Sequence, residues 1–426
     1  MKRMITGASL LALSSVCAQA DGLDRSGQSV SSIFAADGTV TTTFGLVMPN
    51  VTGKDLAGNS YDAGKDYSVS SLSFTNALND RFNYSVILDQ PYGADVFYDN
   101  DPLTTALGGT LADVDSTALT FVGRYKINDR FSVFGGIGVE RIDANVALNG
   151  QAYAAAISTA AVASRVPGLD SALLGKALRG DLAAAGAIDG AYGAGTTAAL
   201  GARVRTAVAG FNATDGYSFR MEDSTKPTYL IGAAYEIPDI ALRIAGTYRF
   251  ETKHSAKISE SLLGTDYDGS TPGYDNTIDF VTPRSFNLDF QTGIAAGTLL
   301  TASYRWSEFS QVNITPTVLG RDLVTIEDGH RYTLGVARQF NDQFSASLTY
   351  IFEPEDGEQI VSPLAPTDGV KGISLGGRYK TDRWNVSGGL SYLMVTDAYP
   401  GVADRKVARF TDNSIVAIGF KAEMSF

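Results

Sequence analysis

The last eleven residues alternate without a break: Val416, Ile418, Phe420, Ala422, Met424 and Phe426 are separated by Ala417, Gly419, Lys421, Glu423 and Ser425. An extended strand would place the apolar groups on one face and both charges on the other. The pattern recurs at Phe344–Phe352, Trp384–Met394, Leu119–Ile127 and Ile240–Phe250. A chain built this way folds as a sheet. Alternation alone does not distinguish a soluble sandwich from a membrane barrel.

The turns make that distinction. Asn79-Asp80-Arg81-Phe82 recurs as Asn128-Asp129-Arg130-Phe131, Asn341-Asp342-Gln343-Phe344 and Thr381-Asp382-Arg383-Trp384. Asn and Asp bond their own backbone and tolerate tight turns. The aromatic after each turn suits one interfacial girdle of an outer-membrane barrel, which has short turns on one side and long loops on the other. Longer polar or glycine-rich connections fall at 53–65, 98–115, 259–277 and 396–409. The count is about fourteen strands, centred near 44, 72, 86, 121, 136, 231, 246, 287, 303, 334, 348, 375, 390 and 420. Even parity places both chain ends on the short-turn, periplasmic side. The expected fold is therefore all-β, a transmembrane antiparallel barrel over 39–426.

Composition agrees. Charged residues are 19% of the chain, against roughly 25% in soluble domains. Acidic residues outnumber basic ones 46 to 34, and no basic block is present, which argues against nucleic acid as a partner. Two His and one Cys leave little for metal or thiol chemistry, and neither a cofactor nor a metal is expected. Residues 1–20 read as a secretory signal: Lys2 and Arg3, an apolar stretch from Ile5 to Val16, and Ala18-Gln19-Ala20 for cleavage near Ala20. Cys17 follows a poor lipobox and leaves with the signal. Loss of Lys2 and Arg3 leaves 32 basic against 46 acidic residues, a net charge of −14.

The spacing and turns resemble the FadL family of outer-membrane transporters for hydrophobic compounds over nearly the whole mature chain. Segments 79–98 (NDRFNYSVILDQPYGADVFY) and 119–140 (LTFVGRYKINDRFSVFGGIGVE) resemble its third strand and next hairpin. Segments 229–250, 302–312 and 331–354 resemble later ones. The resemblance implies passive uptake across a Gram-negative outer membrane, with long-chain fatty acids as the default substrate and aromatic hydrocarbons second. It also implies that the break at Pro91-Tyr92-Gly93 is a side opening into the bilayer. Proline lacks the ladder N–H and glycine frees the bend. The terminal Phe426 resembles the signal read by barrel-assembly machinery. The family's plug of about forty residues and its Asn-Pro-Ala motif are missing. Only residues 21–38 precede the first strand, with 22–34 expected to form a reduced hatch.

Residues 150–213 form an Ala-rich island in which the strand pattern stops, expected as a partly helical extracellular insertion. Leu169, Leu173, Leu174 and Leu178 fall at helical spacing, with Asp170 as a cap after Pro167-Gly168. They are candidates for docking hydrophobic ligands, though a lid packing on the barrel mouth would show the same spacing. Alternation puts Arg124, Arg243, Arg249 and Arg305 in the lumen as candidate carboxylate partners. Balanced lumen charges would look the same. Arg378, Lys380 and Lys421 share that face with Glu140, Glu236, Glu251, Asp289 and Glu423.

Two further motifs read weakly. Gly372-Ile373-Ser374-Leu375-Gly376 matches the serine-hydrolase pattern but sits mid-strand, with His254 and His330 at strand rims, so no catalytic residue is assigned. Asp266, Asp268, Asp275 and Asn276 suggest a calcium loop but lack the spaced Glu. The expectation is a monomeric, non-enzymatic transporter touching bilayer and lipopolysaccharide. A general diffusion porin and a structural or adhesive barrel are the alternatives.

Overall fold

The computed structural model describes residues 23–355, 357 and 360–426, so the expected signal and its cleavage point lie outside the described residues. Fourteen antiparallel strands close into a barrel. They are β1 (Thr39–Asn50), β2 (Tyr67–Asn79), β3 (Phe82–Asp89, continuing as Gly93–Phe97), β4 (Leu111–Lys126), β5 (Phe131–Leu148) and β6 (Tyr217–Ile237). Next come β7 (Leu242–Arg249, continuing as Thr252–Leu262), β8 (Thr277–Thr282, continuing as Ser285–Ala295), β9 (Thr298–Ser307) and β10 (Gly329–Gln339). The last are β11 (Phe344–Glu353), β12 (Val370–Lys380), β13 (Trp384–Val395) and β14 (Asn413–Ser425). β14 pairs with β1 from Thr39↔Ser425 to Asn50↔Ser414, so no edge is left. In lipid, where an unpaired backbone group costs several kcal/mol, closure is what permits strands to cross.

The repeated turns form as their residues dictate. The Asn79 side chain accepts from the amides of Arg81 and Phe82, each at 3.0 Å, and Asn128 and Asn341 do the same at their turns. Thr381 substitutes its hydroxyl, which accepts from the Trp384 amide at 3.0 Å. Phe131, Phe344 and Trp384 then stand exposed at the short-turn rim, while Tyr229, Phe250, Tyr332 and Tyr392 mark the far edge of the apolar band.

Three strands are interrupted: β3 at 90–92, β7 at 250–251 and β8 at 283–284. The β7 interruption corrects one detail of the alternation. Arg249 faces inward and Phe250 outward, but Glu251 is also exposed and the inward phase resumes at Thr252 and His254. Outside the barrel, 150–213 folds as four helices, α1 (Gln151–Ala163), α2 (Ser171–Leu178), α3 (Leu182–Tyr192) and α4 (Thr196–Ala213). Asp170 caps α2 as its position suggests, accepting from the Ala172 amide at 2.8 Å. A small outer sheet joins Thr52–Asp55, Ser60–Asp62 and Ala408–Phe410.

Two glycines in neighbouring strands face different surroundings. A Cβ on Gly232 would lie 2.2 Å from the Phe134 ring and 2.5 Å from the Gly246 carbonyl oxygen, whereas one on Gly246 meets only the Phe286 ring at 3.7 Å. Gly232→Ala should therefore cost about 1–3 kcal/mol of barrel stability through overpacking. Gly246→Ala should stay within about 0.5 kcal/mol of the parent. Urea unfolding in detergent, followed by electrophoretic mobility, measures both.

Candidate functional site

Residues 23–36 run through the lumen and bridge opposite walls. On one side Ser26 donates to Asp89 at 2.7 Å, the Asn83 amide donates to the Ile33 carbonyl at 2.7 Å, and Thr75 donates to the Ser32 carbonyl at 2.9 Å. On the other, Asp24 is ion-paired with Arg305, and Asn287 donates to the Gly27 carbonyl at 3.0 Å. Phe34 lies between the Arg124 and Arg243 guanidinium groups, each 4.5 Å from its ring. A run of small polar residues (SGQSVSS) suits this path, because a chain buried off the sheet must find partners for its backbone among side chains.

The first strand interruption opens the wall. β2 and β3 pair up to Leu72↔Leu88, separate, and meet again at Gly64↔Val96. At Pro91 the chain turns inward and pairs with the N-terminal segment instead. The Arg25 amide donates to the Pro91 carbonyl at 2.8 Å and the Gly93 amide to the Leu23 carbonyl at 2.9 Å. The Ser116 hydroxyl completes the bend, accepting from the Tyr92 amide at 2.7 Å and donating to the Tyr92 carbonyl at 2.6 Å. On the β2 side the Ser70 amide donates to the Gln90 side chain at 2.8 Å in place of a ladder partner. The gap sits directly above exposed Leu72 and Leu88, at the outer edge of the apolar band.

Arg25 fills this gap. Its guanidinium lies 3.4 Å from the Tyr67 ring centroid and 2.6 Å from an Asp95 carboxylate oxygen. A Cβ on Gly93 would come within 2.8 Å of the Arg25 Nε, so glycine is needed here for close approach as well as for the bend. No pattern in the sequence marks Arg25, Tyr67, Asp95 or Ser116. Each matters through a contact made by folding, and none stands in a motif.

Behind the gap lies an apolar cavity of about 80 Å³. Leu23, Tyr92, Met221, Phe280, Phe309 and Val324 are among the residues that line it, and none of the lining residues is charged. Tyr92 spans it, donating to the Pro283 carbonyl at 3.4 Å and packing edge-on to Phe309 with ring centroids 6.2 Å apart. The outer loop that supplies Phe309, Val312 and Val324 has no periodicity by which the sequence marks it.

Above the cavity, under the helices, is a wider mixed-polarity vestibule of about 720 Å³. Of the four candidate docking leucines only Leu169 lines it. Leu174 is fully buried in the core of the helical insertion, Leu173 packs against that core, and Leu178 is 36% exposed. The helical spacing therefore reflects the insertion's own packing more than a ligand face.

The four candidate arginines all lie buried inside the barrel. Arg124 is ion-paired with Glu236, and Arg305 also donates to Asn287 at 2.9 Å. Arg243 donates to Gln291 at 3.0 Å. Arg249 differs: its Nε is buried without a hydrogen-bond partner, and its charge acts on Asp89 and Tyr92. Arg378 and Lys380 line a separate vestibule of about 490 Å³ at the short-turn end. Ser374 is buried within β12, paired to Thr349 and Ser391 on either side, which is no setting for a nucleophile. Asp268 accepts from the Ser270 hydroxyl at 2.6 Å, which holds its carboxyl below the usual range. Among the described residues no group of three or more His, Cys, Asp or Glu is placed to hold a metal.

A closed barrel with exposed apolar and aromatic belts, short turns at one rim and a lumen crossed by its own N-terminal segment defines an outer-membrane β-barrel protein of Gram-negative bacteria. Residues 25–424 match the family described as outer membrane protein transport protein (OMPP1/FadL/TodX), and the chain belongs to that family. Its fold is similar to a Pseudomonas aeruginosa FadL homologue, at 16% identity and TM-score 0.61 over 93% of this chain and 92% of that one. It is also similar to the Pseudomonas putida toluene transporter TodX, at 13% identity and TM-score 0.58 over 93% and 92%. The Ralstonia pickettii toluene transporter TbuX is a third, at 11% identity and TM-score 0.55 over 92% and 90%. No curated protein matches the chain in sequence.

The Asp24–Arg305 pair suggests a direct check on the N-terminal segment. Removing one member of a buried ion pair costs about 3–5 kcal/mol, because the other charge is left uncompensated. Arg305→Met should therefore loosen residues 23–36, seen as faster protease cleavage there while the barrel stays folded. Unchanged cleavage would show that the pair does not hold the segment.

Proposed function

We propose that this protein carries hydrophobic compounds passively across the outer membrane, with no bond chemistry. A ligand docks in the outer vestibule beside Leu169, enters the apolar cavity, and leaves through the gap at Pro91-Tyr92-Gly93 into the bilayer. The N-terminal segment serves as the hatch that keeps the lumen from conducting freely. The observation carrying this reading is the uncharged cavity of about 80 Å³, bounded by Tyr92 and Leu23 at the very place where the wall is unpaired. A concave apolar site with few polar groups is what binds an apolar solute.

The same cavity bears on the substrate. About 150 Å³ lined by apolar side chains is enough for benzene. At about 80 Å³ the cavity must roughly double by side-chain movement to take a single ring, and it must open much further, with movement of the outer loop, to take a long alkyl chain. Neutral monoaromatic compounds are thus the preferred class. A second reading, long-chain fatty acids, draws support from Arg249, whose buried Nε has no hydrogen-bond partner and could donate to a carboxylate. A general porin fits poorly with a lumen crossed by residues 23–36. A purely structural barrel gives no account of the cavity. Phe426, exposed at the periplasmic rim, is assigned to recognition by the assembly machinery, and the protein is taken to act as a monomer.

Uptake of labelled toluene and labelled oleate into a deletion strain carrying the protein tests this. Toluene uptake should exceed that of the empty strain, with little steady ion conductance in planar bilayers; a large steady conductance would replace this reading with the porin. Arg249→Ala should leave toluene uptake unchanged, and a selective loss of oleate uptake would favour the second reading. Pro91→Val with Gly93→Thr should impair uptake of either without impairing assembly; unchanged uptake would discard the side opening.

A further inference from the structure

The barrel wall separates in a second place. β6 and β7 pair up to Arg249↔Leu230, part, and rejoin at Ile258↔Met221. The register is the same at both ends, nine residues on each strand, so the ladder is broken between them without a net slip of one strand past the other, the Phe250 amide still donating to the Tyr229 carbonyl at 3.1 Å. Meanwhile β7 keeps its pairing to β8 from Thr252↔Thr282 to Lys257↔Thr277. The lower end of this opening lies at exposed Tyr229 and Phe250, the same outer edge of the apolar band at which the first gap lies.

Side chains close it from within. His254, with a fully buried ring, meets the Ser224 hydroxyl at 3.1 Å and a Glu140 carboxylate oxygen at 3.2 Å. Thr282 donates to the same Glu140 oxygen at 2.7 Å, and Ser224 also donates to the Ser255 carbonyl at 3.0 Å. One face of the His254 ring stacks on Phe280, with centroids 5.0 Å apart. Phe280, Thr282, Ile142 and Met221 all line the apolar cavity, so His254 stands between that cavity and the opening. Tyr92, at the first gap, donates across the cavity to the carbonyl of Pro283, the residue at which β8 is interrupted. One cavity thus touches both breaks in the wall.

We infer that the opening between β6 and β7 is a second lateral passage for the apolar ligands of the cavity, closed by the His254–Ser224–Glu140 contacts. This rests on the transport reading above. The ladder lapses because both strands change phase here, β7 at Phe250-Glu251 and β6 at Glu222-Asp223, so that between them buried positions of one strand face exposed positions of the other. In place of the ladder stand side-chain contacts of His254, Ser224 and Glu140, which are easier to break than a run of paired backbone. The chemistry selected is that of a neutral apolar solute. It would pass from a cavity without charge to the outer leaflet at the level of Tyr229 and Phe250.

Paired cysteines test the inference, since the only native cysteine is Cys17. Ser70→Cys with Gln90→Cys locks the first gap, and Ser224→Cys with His254→Cys, whose side chains already touch, locks the second. Toluene uptake is measured for each lock and for both, before and after reduction, with assembly checked by heat-modified mobility in SDS. The first lock alone should leave clear residual uptake, the double lock should abolish it, and reduction should restore it. His254→Ala should raise uptake several-fold when the first gap is locked. The inference is overturned if the first lock alone abolishes uptake and His254→Ala fails to restore it. If the unlocked protein takes up no more toluene than the empty strain, both the transport reading and this inference fall. If the unlocked protein transports and the second lock has no effect in either background, only this inference falls.

Discussion

Backbone hydrogen bonding in a medium without water governs everything else in this molecule. The strands cross lipid because each pairs with two neighbours and the last pairs with the first. Any place where that pairing lapses must be compensated locally, and the compensation identifies the place as special. At the first gap the N-terminal segment supplies backbone partners and Ser116 supplies a hydroxyl. At the second, His254, Ser224 and Glu140 supply side chains. Apart from the short break in β8 at 283–284 and a few local register shifts, the rest of the wall is paired sheet, with apolar residues toward lipid and polar ones inward.

The inside follows a different economy. Its charges are largely matched in pairs: Arg124 with Glu236, Arg305 with Asp24, and Lys421 with Glu423 at 2.5 Å. Such pairs fix geometry more than they add stability, because desolvation offsets much of their attraction. The result is a polar interior held in one arrangement around a small volume from which charge is excluded. Arg249 is the exception among the four arginines considered, and that alone makes it informative.

Much of the architecture could be read from the residues. Fourteen strands, the four repeated turns, the helical insertion and the Asp170 cap all follow from short-range rules of period and turn chemistry. The break at Pro91 was visible for the same reason. What was not visible depends on distant contacts. Arg25 is 42 positions from Tyr67 and 70 from Asp95, and nothing in its neighbours marks it. The phase change after Phe250 left no signature, because Glu251 simply continues the polar column of a uniform strand. The leucines of α2 are a different case: their spacing marks burial, and for Leu174 that burial lies in the insertion's own core.

Both gaps share one geometric property with a mechanical result. Across the first, Leu72↔Leu88 and Gly64↔Val96 are eight residues apart on each strand; the second also rejoins in step. A barrel's diameter and strand tilt are set by strand number and by the total stagger accumulated around its circumference. Separating strands that rejoin without slippage leaves that stagger unchanged. On the proposed transport route, either slot would therefore widen or shut while the cylinder keeps its girth, its tilt and its fit to the bilayer. A wall that opens in this way bears the motion within a few side chains, and the membrane around it need not be disturbed.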